Sequence, residues 1–203
     1  EVRFPRIIQL NHPNLRRELH LFSDAATSCF ATIGFLRTVA PDGAIMVRHI
    51  ASRNRLAPLR GLSVPRLELN AAVLAARLAN VIKDEIDMPI DGIKFWSDSM
   101  AVIGMINNKT TRYQVYVARR VAEIQETTDI SAWCYVPSEL NVADGITRGV
   151  FPDNLDGHPY FFGPPFLYKS EEYWPTAKLI DTDKDIPEEE MIKKQEVFIT
   201  TSE

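Results

Sequence analysis

The chain has 203 residues, 45% hydrophobic and 25% charged, with a formal net charge of −4. That length carries one well-built domain with appendages, and no apolar run approaches the roughly 20 residues that span a bilayer as a helix. The charge is uneven: residues 171–203 hold ten acidic residues and four lysines, a net of −6, so residues 1–170 carry +2. That body rises to about +6 if four clustered carboxylates are neutralised by cations, a sign that favours a polyanionic partner.

Residues 1–17 read as a connector, broken by Pro5, Asn11, Pro13 and Asn14 and basic through Arg3, Arg6, Arg16 and Arg17. The start, EVRFPRIIQL, has no initiator Met and no signal-peptide core, so a chain cut from a longer polypeptide is expected. Strands are predicted over Leu19–Ser23, Cys29–Thr38 and Ala44–Ala51, the last two joined by a Pro41-Asp42-Gly43 turn. Ser52–Pro65 reads as loop. Val64–Glu85 is the longest helix, with Pro65 in its first turn and Leu67, Ala71, Leu74, Leu78 and Val81 as its buried stripe. A strand over Ile93–Ser97, a short helix over Ser99–Asn107, an amphipathic helix over Val115–Gln125, a strand over Ala132–Val136 and a helix within Asn141–Arg148 follow. Composition then shifts: residues 150–175 are rich in Pro, Gly and aromatics and are expected to pack on the domain as an irregular extension, and residues 176–203 are expected to form an acidic flexible tail. Cys29 and Cys134, inside predicted strands and at no metal-ligand spacing, read as buried thiols of a reducing compartment.

Four acidic residues stand at element ends. Asp24 follows the apolar run Leu19–Phe22, and Asp98 follows Ile93–Trp96, both at strand C-termini where open α/β sheets place their sites. Glu68 lies in the first turn of the long helix and borders its small-residue flank, and Asp144 opens the last short helix. Four carboxylates brought together cannot all ionise without cations, and Mg²⁺, a hard ion preferring oxygen, resolves the conflict. The expectation is a two-metal phosphodiesterase site. Any one such Asp alone is more often a cap or turn residue; the set of four carries the argument.

From Ala44 to Leu67 there is no acidic residue but there are five arginines, Arg48, Arg53, Arg55, Arg60 and Arg66, leading directly to Glu68. Arg53, Arg55, Arg60 and Arg66 are candidate phosphate contacts, joined by Ser99, Lys109, Arg112 and Asn141; Ser23 and Ser97 are further candidates for supporting contacts. Tyr113 and Tyr116, interleaved with Arg112, Arg119 and Arg120, suit either a nucleic-acid backbone or an ordinary amphipathic helix.

The words SDAA, PRLEL, FWSDS and NVADGITRG, in that order and spacing, resemble the ribonuclease H domain of BEL/Pao-type LTR retrotransposon polyproteins, over roughly residues 1–175. The resemblance implies an α/β, ribonuclease H-like fold: a mixed five-stranded sheet, first three strands antiparallel, flanked by helices, over residues 18–149. It implies hydrolysis of the RNA strand of RNA/DNA hybrids with two Mg²⁺, Mn²⁺ able to substitute. Asp24 would bridge the ions, Asp144 would complete the one that activates water, and Glu68 and Asp98 would hold the other. The implied partners are the hybrid and the reverse transcriptase region of the same polyprotein, inside the cell in cytoplasmic particles, the nucleus being open. The family's segment before integrase usually carries a Trp pair where this chain has Phe161 and Phe162. The chain departs from many ribonucleases H in having no His between Asp98 and Asp144; its histidines are His12, His20, His49 and His158. A non-catalytic binding or scaffold module of the same fold is the main alternative. A 3′–5′ exonuclease would want Asp-x-Glu where Asp24 is followed by Ala25 and Ala26, and an integrase-like order would put Glu last.

Overall fold

The computed structural model describes residues 6–108, 110–149, 158–175 and 186–192. Its centre is a sheet of five strands in the order β3-β2-β1-β4-β5. β1 (Arg16–Ala25), β2 (Cys29–Val39) and β3 (Ile45–Leu56) form an antiparallel meander, and β4 (Gly92–Ser97) and β5 (Trp133–Tyr135) run parallel to β1. The α-helices among the described residues are α1 (Val64–Glu85), α2 (Met100–Asn107), α3 (Val115–Thr127), α4 (Asp144–Thr147) and α5 (Pro159–Phe162), with short 3-10 turns between and after them. This is the mixed, helix-flanked ribonuclease H-like sheet expected from the motifs.

Both faces of the sheet are covered. Leu19 and Leu21 of β1 and Phe95 of β4 point to one face, where α1, α2 and α3 pack on them. Phe22, Phe35 and Trp96 point to the other, against Val136, Ala143, Phe166, Leu167 and Trp174. The alternation of β1 splits its side chains between two cores, which is why seven of its residues in a row are buried, from Glu18 to Asp24.

Several boundaries differ from the sequence reading. β3 runs to Leu56, five residues past the expected end, because it stays in register with β2 to the Cys29–Leu56 pair. Its last residues are exposed on a sheet edge, so their polar composition resembled a loop. Val81 is 37% exposed and not part of the buried stripe; α1 is instead buried on two sides, through Leu69, Val73 and Ile82 as well as Leu74 and Leu78. Cys29 and Cys134 are half-buried, not fully enclosed.

The segment 158–175 is pinned to the far face by polar bonds. Arg37, 3% exposed, pairs with the buried Glu18 at 2.5 Å and donates to the carbonyls of Leu167 (2.7 Å) and Lys169 (3.0 Å). His20 accepts from Trp96 Nε1 at Nδ1 (3.1 Å) and meets Trp174 edge-on. Gly163 has φ +73°, and a Cβ there would sit 2.9 Å from Val47 Cγ1, so only glycine allows this approach. Residues 150–157 lie outside the described residues.

Residues 186–192 depart from the expected flexible tail. Ile186 is 3% exposed within the core of α1 and α3, and Glu190 is 1% exposed. Met191 forms an antiparallel bridge with Tyr113, and Ile192 N–H bonds the Arg112 carbonyl at 2.8 Å. Residues 176–185 and 193–203 lie outside the described residues.

Candidate metal centre

Register brings the carboxylates together. β1 and β4 are adjacent and parallel with Ser23 opposite Ser97, so Asp24 and Asp98 emerge side by side just after that pair. α1 starts after the β3 edge returns to the same end of the sheet, and Glu68 stands where its second turn begins, one residue later than the first-turn place expected. One carboxylate oxygen from each of Asp24, Glu68 and Asp98 lies within 4.8 Å of the others. α4 begins at Asp144 and supplies the fourth group, but Asp144 Oδ1 is turned to Arg148 Nε at 2.6 Å. Three of the four expected residues therefore meet, and the fourth is held in an ion pair with a 68% exposed arginine side chain. Such an exposed pair is weak.

The electrostatics are those of a site short of positive charge. Burial, then Asp24, Asp98 and Asp144, push the Glu68 carboxyl up to about 9. Burial, Asp98 and Asp144 push Asp24 up to about 6, against the opposing hydrogen bond from Thr147. Glu68 Oε2 is buried without a hydrogen-bond partner among the described residues, a costly condition for a carboxylate. A hard divalent cation fits this donor set: it accepts oxygen ligands and removes the mutual repulsion. Asp24, Glu68 and Asp98 would hold it, with Asp144 available after leaving Arg148.

Other residues act as struts around the cluster. Asn141 is 4% exposed and donates from Nδ2 to the Ser23 carbonyl and to Asp98 Oδ1, both at 3.0 Å. Expected as a nucleic-acid or supporting contact, it ties the chain before α4 to the ends of β1 and β4. Ser99 caps α2, accepting from Val102 N–H, and Ser97 Oγ accepts from Ser99 N–H. Buried Ser23 donates to the Trp96 carbonyl. Thr147, which the sequence reading passed over, is 5% exposed and donates to Asp24 Oδ2 while its carbonyl accepts from the Cys29 thiol. Its place three residues after Asp144 was the one available signal.

The basic residues divide. Arg53 and Arg55 flank Asn54, whose backbone continues the cross-strand row Asp24–Ala31–Asn54 about 10 Å from Asp24; both are exposed at the β3 edge, their side chains on the face opposite that row. Arg60 is exposed in the loop before α1, and Arg112 is exposed before α3. Arg66 is engaged: it makes a two-pronged pair with Glu190. Lys109 lies outside the described residues. Arg120 stacks 3.5 Å over the Tyr116 ring and bonds Asn70 at 2.6 Å, so this stretch is an amphipathic helix whose outer face is also cationic.

Residues 1–99, just under half of the chain, match the family described as Pao retrotransposon-like RNaseH-like domain. No curated protein matches the chain. Among solved structures, RNase H1 from the halophilic archaeon Halobacterium salinarum is 15% identical, with 66% of this chain and 99% of that one covered and a TM-score of 0.39. LC11-RNase H1 in complex with an RNA/DNA hybrid is 11% identical, over 66% and 96% of the two chains, with a TM-score of 0.43. The N-terminal RNase H domain of a Mycobacterium tuberculosis protein is 9% identical, over 66% and 95%, with a TM-score of 0.42.

Proposed function

We propose that this chain, whose residues 1–99 match the Pao retrotransposon-like RNaseH-like domain family, is a metal-dependent endonuclease that hydrolyses the RNA strand of RNA/DNA hybrids during reverse transcription of a retroelement. One observation carries the reading: three carboxylates converge within 4.8 Å at the C-terminal end of a parallel strand pair, with a buried, unpaired Glu68 oxygen among them.

Two divalent cations, Mg²⁺ or Mn²⁺, would supply a hydroxide and stabilise the leaving 3′-oxygen. Asp24 sits centrally in the sheet and would contact both ions. Glu68 and Asp98 would hold one, and Asp144 the other. Asn141 and Thr147 keep the α4 end fixed against β1, so that the carboxylates need little rearrangement. Arg53, Arg55 and Arg60, exposed at the β3 edge and in the loop before α1, would take backbone phosphates without reading sequence. Discrimination for RNA would come from the 2′-hydroxyl. The natural partner besides the hybrid would be the polymerase region of the same polyprotein.

The test is cleavage of an end-labelled hybrid with Mg²⁺ or Mn²⁺. Internal cuts in the RNA strand, lost in Asp24→Asn, are expected; an intact hybrid with either metal, also with the upstream polymerase region attached, would overturn the reading. One observation favours the alternative of a binding module: Asp144 is paired with Arg148 and not turned to the cluster. Tight hybrid binding with no cleavage is its signature.

A further inference from the structure

The Arg66 pairing is unusual for a residue on a basic, substrate-facing stretch. Its guanidinium is held by Glu190, Nε at 2.8 Å and Nη2 at 2.9 Å, and the Ser63 hydroxyl reaches the same carboxylate at 3.3 Å. Ser63 is the N-cap of α1, yet it makes no cap bond to its own helix; its hydroxyl faces Glu190 instead. The Glu190 carbonyl accepts from Gln114 N–H at 2.8 Å, and Ile192 and Met191 extend the pairing along 112–114. Arg66 also lies 5.1 Å over the Tyr116 ring, on which Arg120 stacks as well. The result is a carboxylate, 1% exposed, seated between an arginine fork and the hydroxyl of the residue that precedes α1.

Those are the donors that a phosphate oxygen would use. Arg66 and Ser63 lie two and five positions before Glu68, and Glu190 belongs to the run Glu188–Glu190 in the acidic part of the chain. We infer that segment 186–192 is a strap that covers part of the nucleic-acid surface beside the carboxylate cluster, its Glu190 holding the place of a backbone phosphate of an RNA/DNA hybrid. The inference rests on the proposed hybrid-binding reading. The hybrid must displace the strap to reach Ser63 and Arg66. Release leaves Arg66, already 31% exposed, ready to re-pair with phosphate, and frees the carboxylate to hydrate. The exchange trades one charge-assisted pair for another, so strap and hybrid compete on comparable terms.

The test uses the full chain and a fluorescent RNA/DNA hybrid, with Ca²⁺ in place of Mg²⁺ to measure binding apart from cleavage. Glu190→Gln keeps the shape and removes the charge. It is expected to bind the hybrid about tenfold tighter than wild type, the scale of one charge-assisted contact, and adding Arg66→Ala should abolish that gain. Equal affinity of Glu190→Gln and wild type would overturn the strap. If Glu190→Gln fails to fold, hydrogen exchange on the wild type decides: the Gln114 and Ile192 amides should exchange faster when the hybrid is bound, and unchanged or slower exchange overturns the inference. The two readings fail separately. Tighter binding by Glu190→Gln with no cleavage by wild type sinks the hydrolase and leaves the strap. Cleavage by wild type with no effect of Glu190→Gln sinks the strap alone.

Discussion

Thr147 donates its hydroxyl hydrogen to Asp24 Oδ2, although the two are 123 positions apart. The bond joins α4, which starts at Asp144, to the strand end that carries Asp24, and it fixes the spacing of two carboxylates that neither element could fix alone. It also leaves one Asp24 oxygen unclaimed by the hydroxyl. Thr147 therefore positions a ligand without being one, as residues behind metal ligands commonly do.

Replacing Thr147 with Val removes the donor and keeps the shape. Mn²⁺ binding, followed by titration of the free ion, should weaken by about tenfold, while Thr147→Ser should bind almost as wild type. Equal weakening in both variants would mean that packing, and not the hydroxyl, is what matters.

The metal-free protein should lose stability as pH rises from about 6.5 to 9. Glu68 titrates near its ordinary 4.5 when unfolded and at about 9 when folded, so the folded state holds a proton that the unfolded state has lost. A raised folded value gives stability that is full below 4.5 and gone above 9. Asp24, at about 6, acts the same way over a lower range. Below 6.5 the trend is opposed, because burial lowers His20 and His49 and their charging favours unfolding. Calorimetry across this window should show Tm falling with pH, at roughly 2–4 °C per kcal/mol, and Mg²⁺ or Mn²⁺ should flatten the slope. A metal-free Tm that stays level or rises from pH 6.5 to 9 contradicts the clustering.

Arg37→Ala should cost about 3 kcal/mol, since it removes the buried partner of Glu18 and leaves that buried carboxylate with only the largely exposed Arg16 beside it. It also removes the bonds to the Leu167 and Lys169 carbonyls, so the 158–175 segment should become sensitive to protease in the same variant. Denaturant midpoints and limited proteolysis measure the two effects; a cost under about 1 kcal/mol would refute the account of how this segment is held.

Gly163→Ala should destabilise by about 1–3 kcal/mol through its positive φ and the close approach to Val47. Shortening Val47 to Ala in the same chain should return only the clash component. Full recovery in the double variant would show that backbone conformation contributes nothing there.

The sheet and its connections were legible because their signals are local. β1, β2, β4 and α1 each combine an apolar run with a turn, cap or proline, and the carboxylates stand where those runs stop. Two kinds of feature escaped. Ser52–Leu56 is an exposed edge, and edge strands have the composition of loops. The docking of 186–192 depends on one buried acid meeting Arg66 across 124 positions, and no local pattern announces such a partner. The acidic run suggested solvent for the same reason that it suits a cationic surface. Asn141 and Thr147 were hidden differently: polar residues near a carboxylate read equally as substrate contacts or as internal struts, and only burial separates them.

A crystal of the full chain soaked in Mn²⁺ and read by anomalous scattering tests the central claim most directly. Two peaks about 4 Å apart are expected, Asp24 contacting both, Glu68 and Asp98 on one, and Asp144 rotated from Arg148 onto the other. A soaked crystal with no peak among these four carboxylates, or with metal only elsewhere on the surface, would contradict it.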